Sequence, residues 1–451
     1  MSMDNPADLF SKVQIHYSSE NGETEAVGIL NPVAEKGFVT IKLPNGYNLS
    51  VKEENILKLT VLAPAEKVTV ASTKVEMDDS SPKVTIIHTG GTIASKVDYK
   101  TGAVTAKFEP EDLIEANPKI SEIANINAVK IGNMFSDDIR PQHWNLMTNA
   151  ILEAFDGGAD GVVITHGTDT LHITSAALSF AFCGKGKKAP GRIVITGSQR
   201  SSDRGSTDAT ENLLAAVYWA ANGPEPTGNS GDCVTIAMHK SGSDGEVAII
   251  PGCSSRKMHS TKREAFVPVN SEYIASVYLD SKETSHEITR FYSERINEHE
   301  RQIETNPTQY SNHFKIPQLT ANAWLTADQI EAMAGIGASA IIIHGTGLGH
   351  LPIDNPQKDA PENDDLWRAL YRCVNREIPV IITNQCINGP VDMNVYAKGR
   401  KQQSMGILGH GVTTSPDTVA VKVHWALCEG KDIGKILTQD LCGENNSKLY
   451  I

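Results

Sequence analysis

Hydrophobic and polar positions alternate along the first part of the chain. Val13, Ile15 and Tyr17 fall on one side of an extended segment, and Ser18-Ser19-Glu20-Asn21-Gly22 turns the chain. Val39, Ile41 and Leu43 alternate next, Pro44-Asn45-Gly46 makes a hairpin turn, and Tyr47, Leu49 and Val51 alternate after it. Four or five short strands this close together predict a small β-barrel over residues 1–70. Residues 71–83 are polar, with Asp78-Asp79-Ser80-Ser81-Pro82, and read as a linker.

From Val84 the pattern changes. Apolar runs at 84–87, 162–164, 193–195 and 234–237 end in polar, glycine-rich loops. Helical periodicity lies between them. Trp144, Met147, Ile151 and Phe155 share one face, closed by Gly157-Gly158. Leu171, Ser175, Leu178 and Phe182 form a second row, and Leu213, Leu214, Val217 and Tyr218 belong to a third helix. Alternating strands and helices predict the α/β class, with a parallel sheet over residues 84–284. Residues 285–320 are polar and charged without a clear strand, which predicts an exposed connector. A second α/β unit is expected over 321–437. There Thr326-Ala327-Asp328-Gln329 reads as a capping box, and strands at 338–343 and 379–383 end in polar loops. Residues 438–451 read as a tail, loose in part.

Composition narrows the function classes. The 451-residue chain carries a net charge of -13, which disfavours broad contact with a phosphate backbone. Its seven cysteines are scattered and form no CxxC pair, so reduced thiols are expected in place of a disulfide frame or zinc site. No apolar run approaches the ~18 residues of a membrane span, and the N-terminus lacks a basic stretch followed by an apolar one. A cytoplasmic location without membrane contact is the expectation.

Two loops carry the candidate chemistry, because ligand sites in open α/β sheets gather beyond the strands' carboxyl ends. Thr89-Gly90-Gly91-Thr92 follows one apolar run, and His166-Gly167-Thr168-Asp169-Thr170 follows another. Glycine lets backbone approach a ligand closely, and a threonine hydroxyl needs a nearby base to become a nucleophile. Taken singly, each loop reads equally well as a structural turn or a helix cap. Asp169 is suited to orient a lysine acting as that base, since a desolvated lysine loses its proton near neutral pH. Ser136-Asp137-Asp138 precedes a helix, a place that serves either a substrate carboxylate or an ordinary cap. His166 and His172 have no acidic partner at ligand spacing, so no metal is expected.

The two threonine loops resemble the two signatures of bacterial-type L-asparaginases and glutaminases, over about residues 84–427. The first domain, through Ile41-Lys42-Leu43-Pro44-Asn45-Gly46-Tyr47-Asn48, resembles the N-terminal barrel of the D-type subunit of the archaeal Glu-tRNA(Gln) amidotransferase. Gln199-Arg200-Ser201-Ser202-Asp203-Arg204, Arg256-Lys257-Met258-His259 and Asn394-Val395-Tyr396 are similar to the same protein family. The resemblance implies a threonine acyl-enzyme. Thr92 would be the nucleophile, with Thr168, Asp169 and Lys257 completing the catalytic set. Ser136 and Asp137 match contacts to the substrate carboxylate and ammonium.

The same resemblance implies ammonia release from glutamine or asparagine, with the preference between them left open. A tRNA-binding partner, the E-type subunit of the amidotransferase, would use that ammonia to convert Glu-tRNA(Gln) to Gln-tRNA(Gln). It implies no cofactor in this chain, ATP and Mg used by the partner-containing complex, and a homodimer within a heterotetramer. The chain departs from the pattern in three places. Tyr99 is the only tyrosine in the first loop and lies only seven residues past Thr92, Pro390 follows Gly389 where arginine is usual, and the strand that opens the C-domain is not evident. A free-standing asparaginase with an appended barrel and a non-catalytic scaffold are the alternative readings.

Overall fold

The computed structural model describes residues 11–19, 22–31, 37–44, 47–63, 80–90, 96–98, 103–105, 117–201, 206–280, 283–295 and 301–446. Its first part consists of β1 (Lys12–Ser19), β2 (Gly22–Asn31), β3 (Phe38–Lys42), β4 (Asn48–Lys52) and β5 (Ile56–Ala63). These form an antiparallel five-stranded sheet ordered β4-β3-β2-β1-β5. The period-two pattern explains the sheet's inner face. Val13, Ile15, Val39, Ile41 and Val51 are buried in a core of their own. The described pairings leave β4 and β5 as the two edges.

The second part is built from β6 (Lys83–His88), β9 (Asn125–Lys130), β10 (Gly161–Thr165), β11 (Arg192–Thr196), β12 (Val234–His239), β13 (Glu246–Pro251), β16 (Ala275–Leu279) and β17 (Thr284–Ile288). They form an eight-stranded sheet ordered β17-β16-β13-β12-β11-β10-β6-β9. The half from β9 to β12 is parallel. From β12 through β13 and β16 to β17 it is antiparallel, so the sheet is mixed where a parallel one was expected. Short crossings such as the loop from β12 to β13 leave no room for a helix, and such neighbours pair antiparallel. The strands in the middle are apolar at successive positions because both faces are covered: Val162, Val163 and Ile164 are all fully buried. Two small antiparallel pairs stand apart. They are β7 (Lys96–Asp98) with β8 (Ala103–Thr105), and β14 (Ser255–Lys257) with β15 (Phe266–Pro268).

The third part is a parallel three-stranded sheet of β18 (Gln318–Thr320), β19 (Ile341–Gly345) and β20 (Val380–Asn384). One hydrophobic core runs from the second part into the third. The helix Leu171–Cys183 packs on the helix Pro416–Cys428 and lies within that core. The loop after β10, which opens the first of these helices, therefore faces the third part of the chain.

Three expectations need correction. Residues 285–320 are not a strandless exposed connector. Thr284–Ile288 is an edge strand and Gln318–Thr320 opens the last sheet. Tyr310 between them is buried, its hydroxyl donating to the Ala177 carbonyl at 2.7 Å. The edge strand holds by its backbone ladder to β16, which needs no apolar alternation. The cysteines are not all reduced, since Cys183 and Cys233 form a disulfide between the end of a helix and the start of β12. The described part of the tail, residues 438–446, is fastened: Cys442, Glu444, Asn445 and Asn446 are buried.

Candidate active site

The site begins where β6 and β10 end side by side. His88 Nδ1 lies 2.7 Å from Thr165 Oγ1, and Thr89 Oγ1 donates to the Thr165 carbonyl at 2.9 Å. Thr89 is thus spent on holding two strand ends together. Gly90 follows with φ +122°, a conformation L side chains rarely adopt, and any side chain there would strike the backbone of Met134. Thr92 and Tyr99 lie outside the described residues.

The second loop leaves β10 at His166, which is fully buried. Burial lowers its pKa to about 4, against the opposing pull of the Gly167 carbonyl and with help from His172, so the ring is neutral. Gly167 comes next. An added Cβ would sit 2.9 Å from Ser136 Cβ and 3.0 Å from its Oγ, so only glycine lets the Ser136 turn approach. That approach lets the Asp169 amide donate to Ser136 Oγ at 3.1 Å and the Thr170 hydroxyl donate to the Ser136 carbonyl at 2.6 Å. Ser136 is buried at the start of the short turn Ser136–Asp138. Asp137 is exposed on the same turn.

Lys257 ends β14, and its Nζ reaches both functional groups of the second loop. It donates to Thr168 Oγ1 at 2.8 Å and to Asp169 Oδ1 at 2.8 Å. The lysine side chain is 10% exposed, whereas that of Asp169 is 70% exposed. A nearly buried lysine thus pairs with a carboxylate that opens to solvent. Four of the residues expected from the sequence (Ser136, Thr168, Asp169 and Lys257) are therefore joined by direct hydrogen bonds. Asp137 shares their turn and not their hydrogen bonds.

Sequence reasoning gave no role to Gln199. Thr168 Oγ1 donates to Gln199 Oε1 at 2.8 Å, and Gln199 Nε2 donates to the His259 carbonyl at 3.2 Å. The Gln199 loop leaves β11, next to β10 in the sheet, so the same strand-end argument would have found it. Its clamp is Asp208, fully buried, whose carboxylate accepts from Ser198 Oγ at 2.8 Å, Gln199 N at 3.0 Å, Arg200 N at 2.9 Å and Asn212 Nδ2 at 2.9 Å. Gly197 passes so close to His166 and Thr168 that a side chain there would collide with both.

A cavity of about 470 Å³ opens beside Lys257, lined by Asp169, His172, Arg256, His259 and Asp417 among others. Asp417 stands in the first turn of the helix Pro416–Cys428 and so comes from the third part of the chain. Its Oδ2 accepts from Arg256 Nη1 at 2.8 Å and lies 3.2 Å from His172 Nε2. Burial works against that charge, but His172 and Arg256 outweigh it and hold the carboxyl below its ordinary range.

Among the described residues, Glu211, His239 and Asp244 come within reach of one point where a metal ion would sit. The Arg263 guanidinium is already there, bonded to Asp244 and 3.5 Å from His239 Nε2. A fixed cation makes this an ion-pair network.

A hydroxyl held between a lysine and an amide, with a second hydroxyl and exposed carboxylates beside it, suits acyl transfer from a small zwitterionic amide. Known proteins of similar sequence and structure agree with that chemistry. Residues 83–292 match the family described as Asparaginase, N-terminal, and residues 315–438 match the Glutaminase/Asparaginase C-terminal domain. The solved thermostable L-asparaginase from Thermococcus kodakarensis superposes with a TM-score of 0.65 at 28% identity, covering 81% of this chain and 100% of that one. L-asparaginase I from Vibrio cholerae has the same fold, with a TM-score of 0.65 at 24% identity. The D-type subunit of the glutamyl-tRNA(Gln) amidotransferase from Methanobrevibacter smithii is 36% identical over 93% of this chain and 89% of its own length. Its counterpart from Pyrococcus furiosus is 35% identical over 94% and 92%. No helix among the described residues is long and apolar enough to cross a membrane. Likeness of this degree along nearly the whole length means that the chain belongs to the family of D-type glutamyl-tRNA(Gln) amidotransferase subunits and is built on the asparaginase fold.

Proposed function

We propose that this chain hydrolyses the side-chain amide of glutamine or asparagine and passes the ammonia to a tRNA-binding partner, the E-type subunit, which converts Glu-tRNA(Gln) to Gln-tRNA(Gln). The observation that carries the chemistry is the bonded set Thr168, Lys257 and Asp169, with both Lys257 contacts at 2.8 Å. In this reading the Thr92 hydroxyl attacks the amide carbon, an ester bond forms and the C–N bond breaks. The proton that the Thr92 hydroxyl gives up ends on the leaving nitrogen, which departs as ammonia. Water then cleaves the ester to a carboxylate, its proton moving through Thr168 towards Lys257 while the released Thr92 oxygen takes a proton back and regains its hydroxyl.

Ser136 Oγ accepts from the Asp169 amide, so its own proton is free to meet the substrate carboxylate. Asp137, exposed on the same turn, is suited to the substrate ammonium. No cofactor is assigned to this chain. ATP and Mg belong to the partner-containing complex, and the assembly is a homodimer of this chain within a heterotetramer. Two features favour a partnered enzyme. The chain extends beyond the asparaginase unit by the first sheet, and its net charge of -13 leaves RNA binding to a partner.

The test is ammonia release from glutamine and from asparagine by the purified chain, repeated with the E-type partner, Glu-tRNA(Gln) and ATP. The reading expects weak or uncoupled hydrolysis alone and stimulation by the tRNA complex. Full activity alone, unresponsive to partner and tRNA, overturns the coupling. Thr92→Ala and Thr168→Ala are each expected to abolish turnover with the fold intact, and wild-type rates in either variant refute its assignment.

A further inference from the structure

Thr168 has one hydroxyl proton and two neighbours at 2.8 Å that can take it, Gln199 Oε1 and Lys257 Nζ. The orientation of the Gln199 amide is fixed by its other end. Nε2 donates to the His259 carbonyl at 3.2 Å, so a reversed amide would set two oxygens against each other. Oε1 therefore faces Thr168 and acts only as an acceptor. The loop that presents it is held by three hydrogen bonds to the buried Asp208 carboxylate, at Ser198 Oγ, Gln199 N and Arg200 N, so Oε1 is not free to drift away.

We infer that Gln199 is a positioning residue which competes with Lys257 for the Thr168 proton and so governs how readily Thr168 can pass a proton to the lysine. When the proton points to Gln199, Thr168 offers the lysine only lone pairs, and those fit an ammonium that donates to Thr168 and to Asp169. When it points to Lys257, the lysine must be neutral. Each hydrogen bond Gln199 accepts therefore favours the charged lysine. The other groups facing Lys257 are Asp169, bonded to it, and Arg256, His172, His259 and Asp417 around the same cavity. None of them is itself altered when Gln199 alone is changed, although His259 loses the hydrogen bond from Gln199 Nε2 to its carbonyl in Gln199→Leu. The consequence for turnover rests on the amidase reading above. The proton competition does not.

Two substitutions in the full chain separate this from a packing role. Gln199→Leu keeps the volume and removes the acceptor. Gln199→Asn keeps the amide but draws it back by one methylene. Lys257 is titrated directly by NMR on protein carrying isotope-labelled lysine, and the pH profile of ammonia release from glutamine is measured alongside. A neutral hydrogen bond is worth a fraction to a little over one kilocalorie, so the acid limb of the ammonia-release profile is expected to move down by roughly half to one pH unit in both variants, with the Lys257 signals following it. An unchanged Lys257 midpoint in both variants overturns the inference. So does a wild-type profile in Gln199→Leu combined with a loss at every pH in Gln199→Asn, the signature of packing. A shifted midpoint in protein that releases no ammonia, wild type included, sustains the proton competition and overturns the amidase reading instead.

Discussion

Gly167 has no side chain, yet it determines how closely the Ser136 turn meets the Thr168 loop. A Cβ 2.9 Å from that of Ser136 would push the two apart by several tenths of an ångström, and the Asp169–Ser136 bond would lengthen with them. Gly167→Ala is expected to cut kcat/KM roughly a hundredfold while the protein still folds, since misplacing a reacting group by a fraction of an ångström costs rate before it costs stability. Activity within twofold of wild type would show that this approach is not needed. His166, one residue earlier, carries a pH dependence. Its folded pKa of about 4 lies below the unfolded value of 6.5, so the unfolded chain binds more protons between those limits. Its contribution is complete above pH 6.5 and is lost as pH falls towards 4, a loss of roughly 3 kcal/mol. His166→Asn keeps a donor for the Gly167 carbonyl and cannot titrate. Denaturant unfolding of the variant should show a shallower fall over that window, and equal slopes would refute the assignment. Thr168 and Asp169 stood out in their own loop and Lys257 only through the family resemblance, and the structure joins the three by hydrogen bonds. Gln199 was given no role although its loop follows the strand next to β10, because only the distance to Thr168 shows what its side chain accepts.

Among the elements, period-two alternation was enough to place β1, β3 and β4, and apolar runs were enough to place β6, β10, β11 and β12. Thr284–Ile288 escaped because an edge strand held by backbone bonds carries no such signature. The disulfide escaped for a similar reason: Cys183 and Cys233 are 50 residues apart and meet only because a helix end and a strand start lie on one sheet. Asp417 shows the same limit at the site. It stands in the helix Pro416–Cys428 and bonds Arg256 on β14 and His172 on the helix Leu171–Cys183, tying three elements beside Lys257. Asp417→Asn removes the charge that Arg256 needs. It is expected to destabilise the fold by about 1–3 kcal/mol at neutral pH. Because the folded carboxyl is held below its ordinary 3.8, wild type loses this advantage only as pH falls below that value, and the two unfolding curves should converge there. A constant difference down to pH 2 would place the effect in packing.

At the scale of the whole molecule, the change of pattern at Val84 coincides with a change of core, since the first sheet and the asparaginase unit each bury their own apolar cluster. The end of the chain was less legible, because a short terminal segment that includes Glu444-Asn445-Asn446 reads as a loose tail. Those residues are polar because they answer a charge inside. Lys422, on the helix Pro416–Cys428, is buried and donates to the carbonyls of Leu437 at 3.2 Å and Gln439 at 2.5 Å. Its counter-charge is Glu444 Oε1 at 2.6 Å, with both side chains 0% exposed. Burial alone would raise the Glu444 pKa, but Lys422 outweighs it, and the amides of Leu441 and Cys442 also donate to the carboxylate. An ion pair in such a place need not add net stability, but breaking it from one side leaves a bare charge in the core. Glu444→Gln is therefore expected to cost about 3–5 kcal/mol, and Lys422→Met with Glu444→Leu to recover much of that loss. Calorimetric unfolding of the three proteins checks it. A single variant within 1 kcal/mol of wild type, or a double variant no better than the single, would mean that the tail is held by its backbone hydrogen bonds and that the pair adds nothing.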